Sequence, residues 1–109
     1  MEERQALLAF GALSQETRLR ILRLLVVAGP EGVAAGAVAE QIGVTASNVS
    51  FHMKELDRAG LVTARRKSRS IIYSAEFDAL AGLIRFLMED CCGGRVEMCG
   101  PMAACASAD

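Results

Sequence analysis

Two short helical patterns that meet at a glycine constrain the fold of this chain more than any other feature. VAAGAVAEQI predicts a helix over residues 33–42, which Gly43 ends. TASNVSFHMKELDRAG predicts a second helix, with Thr45 as its capping residue and Gly60 just beyond its last turn. The second helix repeats apolar residues on its inward row: Val49, Met53 and Leu56. Two helices joined by a tight turn that contains glycine indicate a helix-turn-helix.

The residues after Gly60 have the pattern of strands. LVTARR and SIIYSA alternate and are rich in β-branched residues, and Lys67, Ser68 and Arg69 separate them. This pattern predicts a two-stranded hairpin with a basic tip. A basic hairpin directly after a helix-turn-helix indicates a winged helix-turn-helix.

Helical patterns also lie on both sides of this unit. One covers residues 3–12, and Ser14 looks like the N-cap of the next, which runs through TRLRILRLLVVA to Gly29 and Pro30. The polar face of this helix holds Arg18, Arg20 and Arg23. A last helix is predicted from about residue 75 to residue 90. Its main apolar row consists of Phe77, Leu80, Ala81, Ile84, Leu87 and Met88.

Leu83 and Phe86 are left on a second face of that last helix. A terminal helix that is apolar on two sides needs a further partner, which we predict to be another subunit. The predicted fold class is therefore mainly α with a small β-hairpin, a homodimeric winged helix-turn-helix. We expect residues 1–92 to form the DNA-binding and dimerisation domain, and residues 93–109 to form a flexible, cysteine-containing C-terminal tail.

Length and composition restrict the class of protein. The chain has 109 residues and is 52% hydrophobic, which allows one packed domain. No apolar run reaches the ~18 residues of a membrane span, and MEERQALLAF lacks the basic start and the cleavage site of a signal peptide. We therefore predict a cytoplasmic protein with no membrane partner. In a reducing cytosol, four cysteines suggest metal binding or redox chemistry.

Charge is distributed unevenly along the chain. The net charge is −1, yet residues 45–74 contain six basic and two acidic residues, which is typical of a polyanion partner. In a helix-turn-helix, the first side chains of the second helix reach base edges in the major groove. We therefore predict contacts with double-stranded DNA from Thr45, Ser47, Asn48, Ser50, His52 and Lys54 of that helix and from Arg66, Lys67 and Arg69 of the hairpin. Asn48 suits adenine, and Ser47 and Ser50 suit phosphate or base. Phe51 lies in the same stretch.

Two stretches carry a resemblance to a known family. They are LSQETRLRILRLL and VTASNVSFHMKELDRAGLVTARRKSRSIIYSA, and the specific part is S-x-x-S-x-H-M-x-x-L followed by A-G-L-V, the basic wing and Tyr73. Over roughly residues 5–90 the chain resembles the ArsR-type (also called SmtB/ArsR) metalloregulatory repressors. The resemblance implies a homodimer formed through the first and last helices, which represses by binding operator DNA in the absence of inducer. It also implies that His52 faces DNA.

All four cysteines lie in CCGGRVEMCGPMAAC, residues 91–105. Some ArsR-type proteins carry a cysteine site at the start of the recognition helix, and others bind zinc through histidines and carboxylates between the terminal helices. This sequence has no cysteine in the former place and a single histidine, His52. Cys91, Cys92 and Cys99 resemble the arsenite-responsive branch, which has a vicinal cysteine pair and a third cysteine. The resemblance implies that these three residues bind As(III) or Sb(III) as the inducer.

Thiol chemistry agrees with that ligand, because soft thiolates select soft ions and trivalent arsenic takes three sulfurs, whereas structural zinc usually takes four ligands. Two alternatives remain open. A fourth thiolate from Cys105 would suit zinc, cadmium or lead, and a disulfide between Cys91 or Cys92 and Cys99 or Cys105 would make a redox-sensing repressor. An enzyme is not expected, because the sequence has no C-x-x-C, no phosphate-binding loop and no histidine near a cysteine.

Overall fold

The computed structural model describes residues 1–89, which form five helices and a three-stranded antiparallel sheet. The helices are α1 Glu3–Leu13, α2 Glu16–Ala28, α3 Ala35–Ile42, α4 Ala46–Arg58 and α5 Phe77–Met88. The strands are β1 Val33–Ala34, β2 Val62–Lys67 and β3 Ser70–Ala75. The predicted winged helix-turn-helix is confirmed, with α3 and α4 as the helix pair and the β2–β3 hairpin as the wing.

A single apolar core joins the helices to the sheet. Its largest fully buried side chains come from α2, α3, α4 and the segment that enters β2: Ile21, Leu25, Val38, Val49, Met53, Leu56, Leu61 and Val62. The predicted inward row of α4 is thereby confirmed. Because burying one such side chain contributes about 1.5–3 kcal/mol, this row fixes α4 on the core and leaves its opposite face in solvent.

The first two residues of the predicted third helix form a strand instead, so the predicted start of that helix was wrong. Val33 pairs with Tyr73 of β3, and Ala34 pairs with Ile72. Gly32 permits this close approach, since it has a φ of +79° and an added Cβ would lie 2.5 Å from the Tyr73 carbonyl oxygen. The predicted two-stranded hairpin is therefore part of a three-stranded sheet with the order β1-β3-β2.

The junction between α1 and α2 also differs from the prediction. The N-cap of α2 is Gln15, whose side-chain oxygen accepts a 2.9 Å hydrogen bond from the Arg18 backbone N–H. Ser14 instead ends α1, where its hydroxyl donates to the Gly11 carbonyl oxygen at 2.8 Å. Ser14 satisfies an otherwise unpaired carbonyl at the C-terminus of α1. Its side chain is therefore not available to cap α2, and Gln15 does so instead.

The face of α5 that points to the core is mainly the second apolar face, with Leu83 and Phe86, and not the predicted main row. Leu83 is buried and Phe86 is partly buried against the core, whereas Phe77 and Leu87 of the predicted main row are exposed. The middle of α5 lies close to the start of α1, because a Cβ added at Gly82 would be 3.7 Å from the Met1 methyl carbon. Contact with the chain's own core therefore centres on the narrower apolar face together with Leu80, whereas Phe77 and Leu87 of the wider face remain exposed.

The described part of the chain ends just after α5. Within residues 1–89 no helix is long and apolar enough to cross a membrane. The predicted boundary between residues 92 and 93, and the tail beyond it, lie outside the described residues.

Candidate nucleic-acid interface

The turn between α3 and α4 sets where α4 begins. Gly43 ends α3 in the left-handed conformation, with a φ of +83°. Thr45 then caps α4, because its side-chain oxygen accepts a 3.1 Å hydrogen bond from the Asn48 backbone N–H. The predicted cap is confirmed. The first turn of α4 therefore has a defined start, with polar side chains directly beyond it.

The exposed face of α4 carries most of the side chains that we predicted to contact DNA. Val49, Met53 and Leu56 occupy the buried face. The exposed predicted contacts are Thr45, Ser47, Asn48, Ser50 and Lys54. These are hydroxyl, amide and ammonium groups, which bond to phosphate oxygens and base edges.

The wing presents a second group of polar side chains beside α4. Arg66, Lys67 and Arg69 are exposed at or near its tip, where Ser68 adopts a φ of +57°. Lys54 lines a small cleft together with the β2 residue Ala64 and the β3 residue Tyr73. The structure therefore brings α4 and the wing together, and three cations at the wing tip extend the charge beyond the helix.

Arg65 has a role that the sequence did not reveal. Its guanidinium Nη2 donates a 2.6 Å hydrogen bond to the backbone oxygen of Glu31, in the loop between α2 and β1. The hydroxyls of Thr63 and Ser74 lie 3.1 Å apart across the hairpin. Arg65 thus ties the wing to the rest of the chain, and its place in a run of basic residues concealed this function.

His52 is placed differently from the other predicted contacts. Its side chain is only 9% exposed, and its ring Nδ1 lies 3.4 Å from Nη1 of Arg18. Arg18 also donates from Nε to the Ala12 carbonyl oxygen at 2.7 Å. Because guanidinium groups only donate, the contact with His52 requires a neutral imidazole that accepts at Nδ1. This placement does not support the expectation that His52 faces DNA, since its polar ring is turned toward α2.

Burial lowers the pKa of His52 below its ordinary value of 6.5, and the nearby positive charge of Arg18 lowers it further, while Glu55 opposes the shift. Both main causes favour the neutral ring that the contact with Arg18 needs. The hydrogen-bonded residues Ala12, Arg18 and His52 link the end of α1 to the middle of α4. The helical pattern had placed Arg18 with Arg20 and Arg23 on a solvent face, which concealed this link.

No group of three or more histidine, cysteine or acidic side chains suited to a metal ion occurs within residues 1–89. The predicted ligands Cys91, Cys92 and Cys99, and the alternative ligand Cys105, lie outside the described residues. The metalloid site therefore stays a prediction.

Comparison with known proteins agrees with this architecture. A family model described as a helix-turn-helix domain matches residues 13–65. The HTH-type transcriptional regulator YceK of Bacillus subtilis is 41% identical over 69 residues, which cover 63% of this chain and 68% of that protein.

Solved structures extend the likeness to the three-dimensional fold. An ArsR-like transcriptional regulator from Rhodococcus sp. RHA1 superposes with a TM-score of 0.68 at 31% identity, over 77% of this chain and 76% of that one. Mb0332 from Mycobacterium bovis, a homodimeric winged helix-turn-helix DNA-binding domain, gives a TM-score of 0.64 at 26% identity, over 83% of this chain and 89% of that one. Shared sequence over most of the fold, together with the polar face of α4 and its basic wing, shows that this chain belongs to the ArsR family of transcriptional regulators, which are DNA-binding proteins and not enzymes.

Proposed function

We propose that this chain is a homodimeric repressor that binds operator DNA and releases it when As(III) or Sb(III) binds to Cys91, Cys92 and Cys99. The observation that carries the DNA-binding part is the division of α4 into two faces. One face is held on the core by Val49, Met53 and Leu56. The other presents exposed polar side chains beside a wing with a basic tip.

The exposed groups divide by chemistry. Asn48 is suited to a bidentate contact with adenine, whereas Ser47 and Ser50 are suited to a phosphate or a base. Lys54 and the three cations of the wing tip, Arg66, Lys67 and Arg69, are suited to phosphates, which supply affinity without sequence information. The tie between Arg65 and Glu31 restricts where those cations can lie relative to α4.

The exposed apolar side chains of the terminal helices support the proposed homodimer. Leu7, Leu8 and Phe10 of α1 are exposed, as are Phe77 and Leu87 of α5. Large apolar side chains gathered on two adjacent helices mark an interaction surface. The homodimeric relative from Mycobacterium bovis supports the same assembly for this chain. Two copies of α4 would then bind two half-sites about one helical turn of DNA apart.

The proposed inducer rests on the composition of the tail. Arsenite is a neutral trihydroxide, so three thiols can replace its three hydroxyls and release water without leaving a net charge. Cys91 follows the last residue of α5, Met88, by only three positions in sequence. Binding there would act at the end of a helix that we assign to the dimer. Coupling free energies between two sites are typically ~1–3 kcal/mol, and useful release of DNA requires the upper end of that range.

The test is release of DNA measured by fluorescence anisotropy, with the reduced full-length protein and the DNA upstream of its own gene. Arsenite, zinc, cadmium and peroxide are titrated into the wild type and into each Cys→Ser variant. We expect release by arsenite that needs Cys91, Cys92 and Cys99 but not Cys105. Release only by cadmium or zinc with Cys105 required would indicate a four-thiolate sensor, and release only by peroxide would indicate a redox switch.

A second measurement tests the DNA interface without any inducer. The logarithm of the binding constant is measured against the logarithm of salt concentration for Lys67→Ala. Losing one phosphate contact should reduce the slope by about 0.9. Arg4→Ala, at an exposed position of α1, is the matched control and should leave the slope unchanged. An unchanged slope for Lys67→Ala, Arg66→Ala and Arg69→Ala would remove the wing from the interface.

A further inference from the structure

Phe51 is a large apolar residue among polar neighbours on the exposed face of α4. Its side chain is 58% exposed, although it is a large apolar group. Ser47 lies four positions before it and Lys54 three positions after it, so the three share one helical face. Both neighbours are exposed and polar. Phe51 is thus an isolated apolar side chain at the centre of the face that we assign to DNA.

The ring of Phe51 is backed by the buried histidine. The two ring centres lie 5.2 Å apart with an interplanar angle of 65°, an edge-to-face arrangement. His52 is in turn in contact with Arg18, whose Nε donates to the Ala12 carbonyl oxygen. The phenyl ring therefore rests on a series of contacts that reaches α2 and the end of α1, which reduces the freedom that it would lose on binding.

We propose that Phe51 is a specificity-determining residue that contacts the C5-methyl group of a thymine in the major groove, with His52 and Arg18 as the positioning residues behind it. This inference rests on the proposed binding of operator DNA. The thymine methyl is the one apolar group that base pairs present in the major groove, and phenylalanine is among the side chains that contact it. The polar neighbours Ser47 and Lys54 are suited to the base edges and phosphates around that methyl group.

The sharpest probe is deoxyuridine, which lacks only the methyl group of thymine and keeps its hydrogen-bonding pattern. Each thymine of the operator half-sites is replaced singly by deoxyuridine, and the dissociation constant is measured by fluorescence anisotropy. We expect one thymine per half-site whose replacement weakens binding about fourfold, the effect of losing one buried methyl-sized group. Replacement in both half-sites together should weaken binding about sixteenfold if the two free-energy effects add.

Variants of Phe51 test whether its phenyl ring causes the difference in affinity between the thymine and deoxyuridine operators. Phe51→Ala should bind the thymine and deoxyuridine operators equally, and Phe51→Leu should keep part of the difference. Val27→Ala, which shortens an exposed apolar side chain on α2, is the matched control and should keep all of it. Because Phe51 is exposed, circular dichroism should show the same helix content in all variants. A Phe51→Ala variant that still distinguishes thymine from deoxyuridine would overturn the proposal.

His52→Gln tests the positioning role, since it removes the ring on which Phe51 rests. The fourfold difference should shrink toward one, while the salt dependence stays that of the wild type. Full retention of the difference would remove His52 and Arg18 from the proposal. Wild-type protein that binds its operator with no sensitive thymine would overturn the inference about Phe51 alone. Wild-type protein that fails to bind the DNA upstream of its own gene would overturn the proposed function as well.

Discussion

Helices α4 and α5 are nearly equal in length, at 13 and 12 residues, yet the same chain covers them to very different degrees. In α4 the whole inward row lies in the core, and the exposed face is polar except for Phe51 and the first residue, Ala46. In α5 only Leu83 is buried, although the helix is far more apolar than α4 in composition. One chain is therefore sufficient to position the DNA-binding unit, whereas the terminal helices leave large apolar side chains exposed, which the proposed second copy would cover.

The largest effect is expected from a charge placed among the exposed apolar side chains of α5. Leu87→Glu should shift the monomer–dimer equilibrium toward monomer by more than ~100-fold, because each buried leucine contributes about 1.5–3 kcal/mol and a dimer loses two. Sedimentation velocity measures the shift, and circular dichroism should show that the helices persist. Val27→Glu makes a similar change at an exposed position of α2 and should leave the dimer intact. A Leu87→Glu protein that stays dimeric would place the dimer interface elsewhere.

Shortening a side chain on the buried face of α4 should lower the stability of the fold and not the affinity of the dimer. Leu56→Ala in α4 should lower the free energy of unfolding by about 2–5 kcal/mol, since it leaves a cavity under a fully buried side chain. Urea denaturation at one fixed protein concentration measures this, because dimer formation makes stability depend on concentration. Lys54→Ala, two positions away on the exposed face, should stay within about 0.5 kcal/mol of the wild type. Equal effects of the two substitutions would contradict the division of α4 into faces.

Substitutions at two glycines test whether contacts within one chain hold the wing in place. Gly32→Ala should lower the free energy of unfolding by about 1–3 kcal/mol, because its φ of +79° is strained for alanine and the new Cβ would collide with the Tyr73 carbonyl oxygen. Gly36→Ala in α3 meets nothing within 4 Å and should raise stability by about 0.5–1 kcal/mol. Thermal unfolding of both variants measures whether each substitution lowers or raises the stability. A neutral Gly32→Ala would mean that β1 is not held against β3.

The smallest expected effect is a pH dependence from the link between α2 and α4. The pKa of His52 is lower in the folded chain than its ordinary value of 6.5, so the unfolded chain takes up this proton first as the pH falls. The stabilising contribution is therefore complete above pH 6.5 and is lost as the pH falls through the lowered folded-state pKa. Urea denaturation between about pH 5 and pH 8 should show this decline, and His52→Gln should reduce it. An identical pH profile in the variant would exclude His52 as the cause.

Local patterns in the sequence were sufficient for the elements themselves. Apolar spacing located five helices, glycines at positions 43 and 60 marked two helix ends, and Thr45 was correctly assigned as a cap. These features depend on residues that are neighbours in the chain, so they can be derived without knowing the fold. The same is true of the basic wing, whose alternating β-branched residues and polar tip are confirmed as a hairpin.

The failures at Val33 and His52 share a physical origin, since both depend on residues far apart in sequence. Val33 has the propensity for a strand, but only the position of β3 makes it one. The predicted Ser14 cap is a local error instead, because the Ser14 hydroxyl bonds to the Gly11 carbonyl oxygen three positions earlier and Gln15 caps α2. Arg18 was placed on the polar face of its helix and His52 was predicted to face DNA, and the two meet only because α2 packs against α4.

The sequence by itself determined a winged helix-turn-helix with a polar, basic surface for DNA, because periodicity, capping and charge are properties of the chain's local order. Tertiary structure alone decided which side of α5 faces the core. The helix has two apolar faces, and free energy favours burying whichever one the neighbouring helices can reach. Leu83 is buried in the core, so Phe77 and Leu87 of the wider face stay exposed, where the proposed second copy would cover them. Only the packed chain shows that choice, because burial is a property of the assembled elements and not of any one of them.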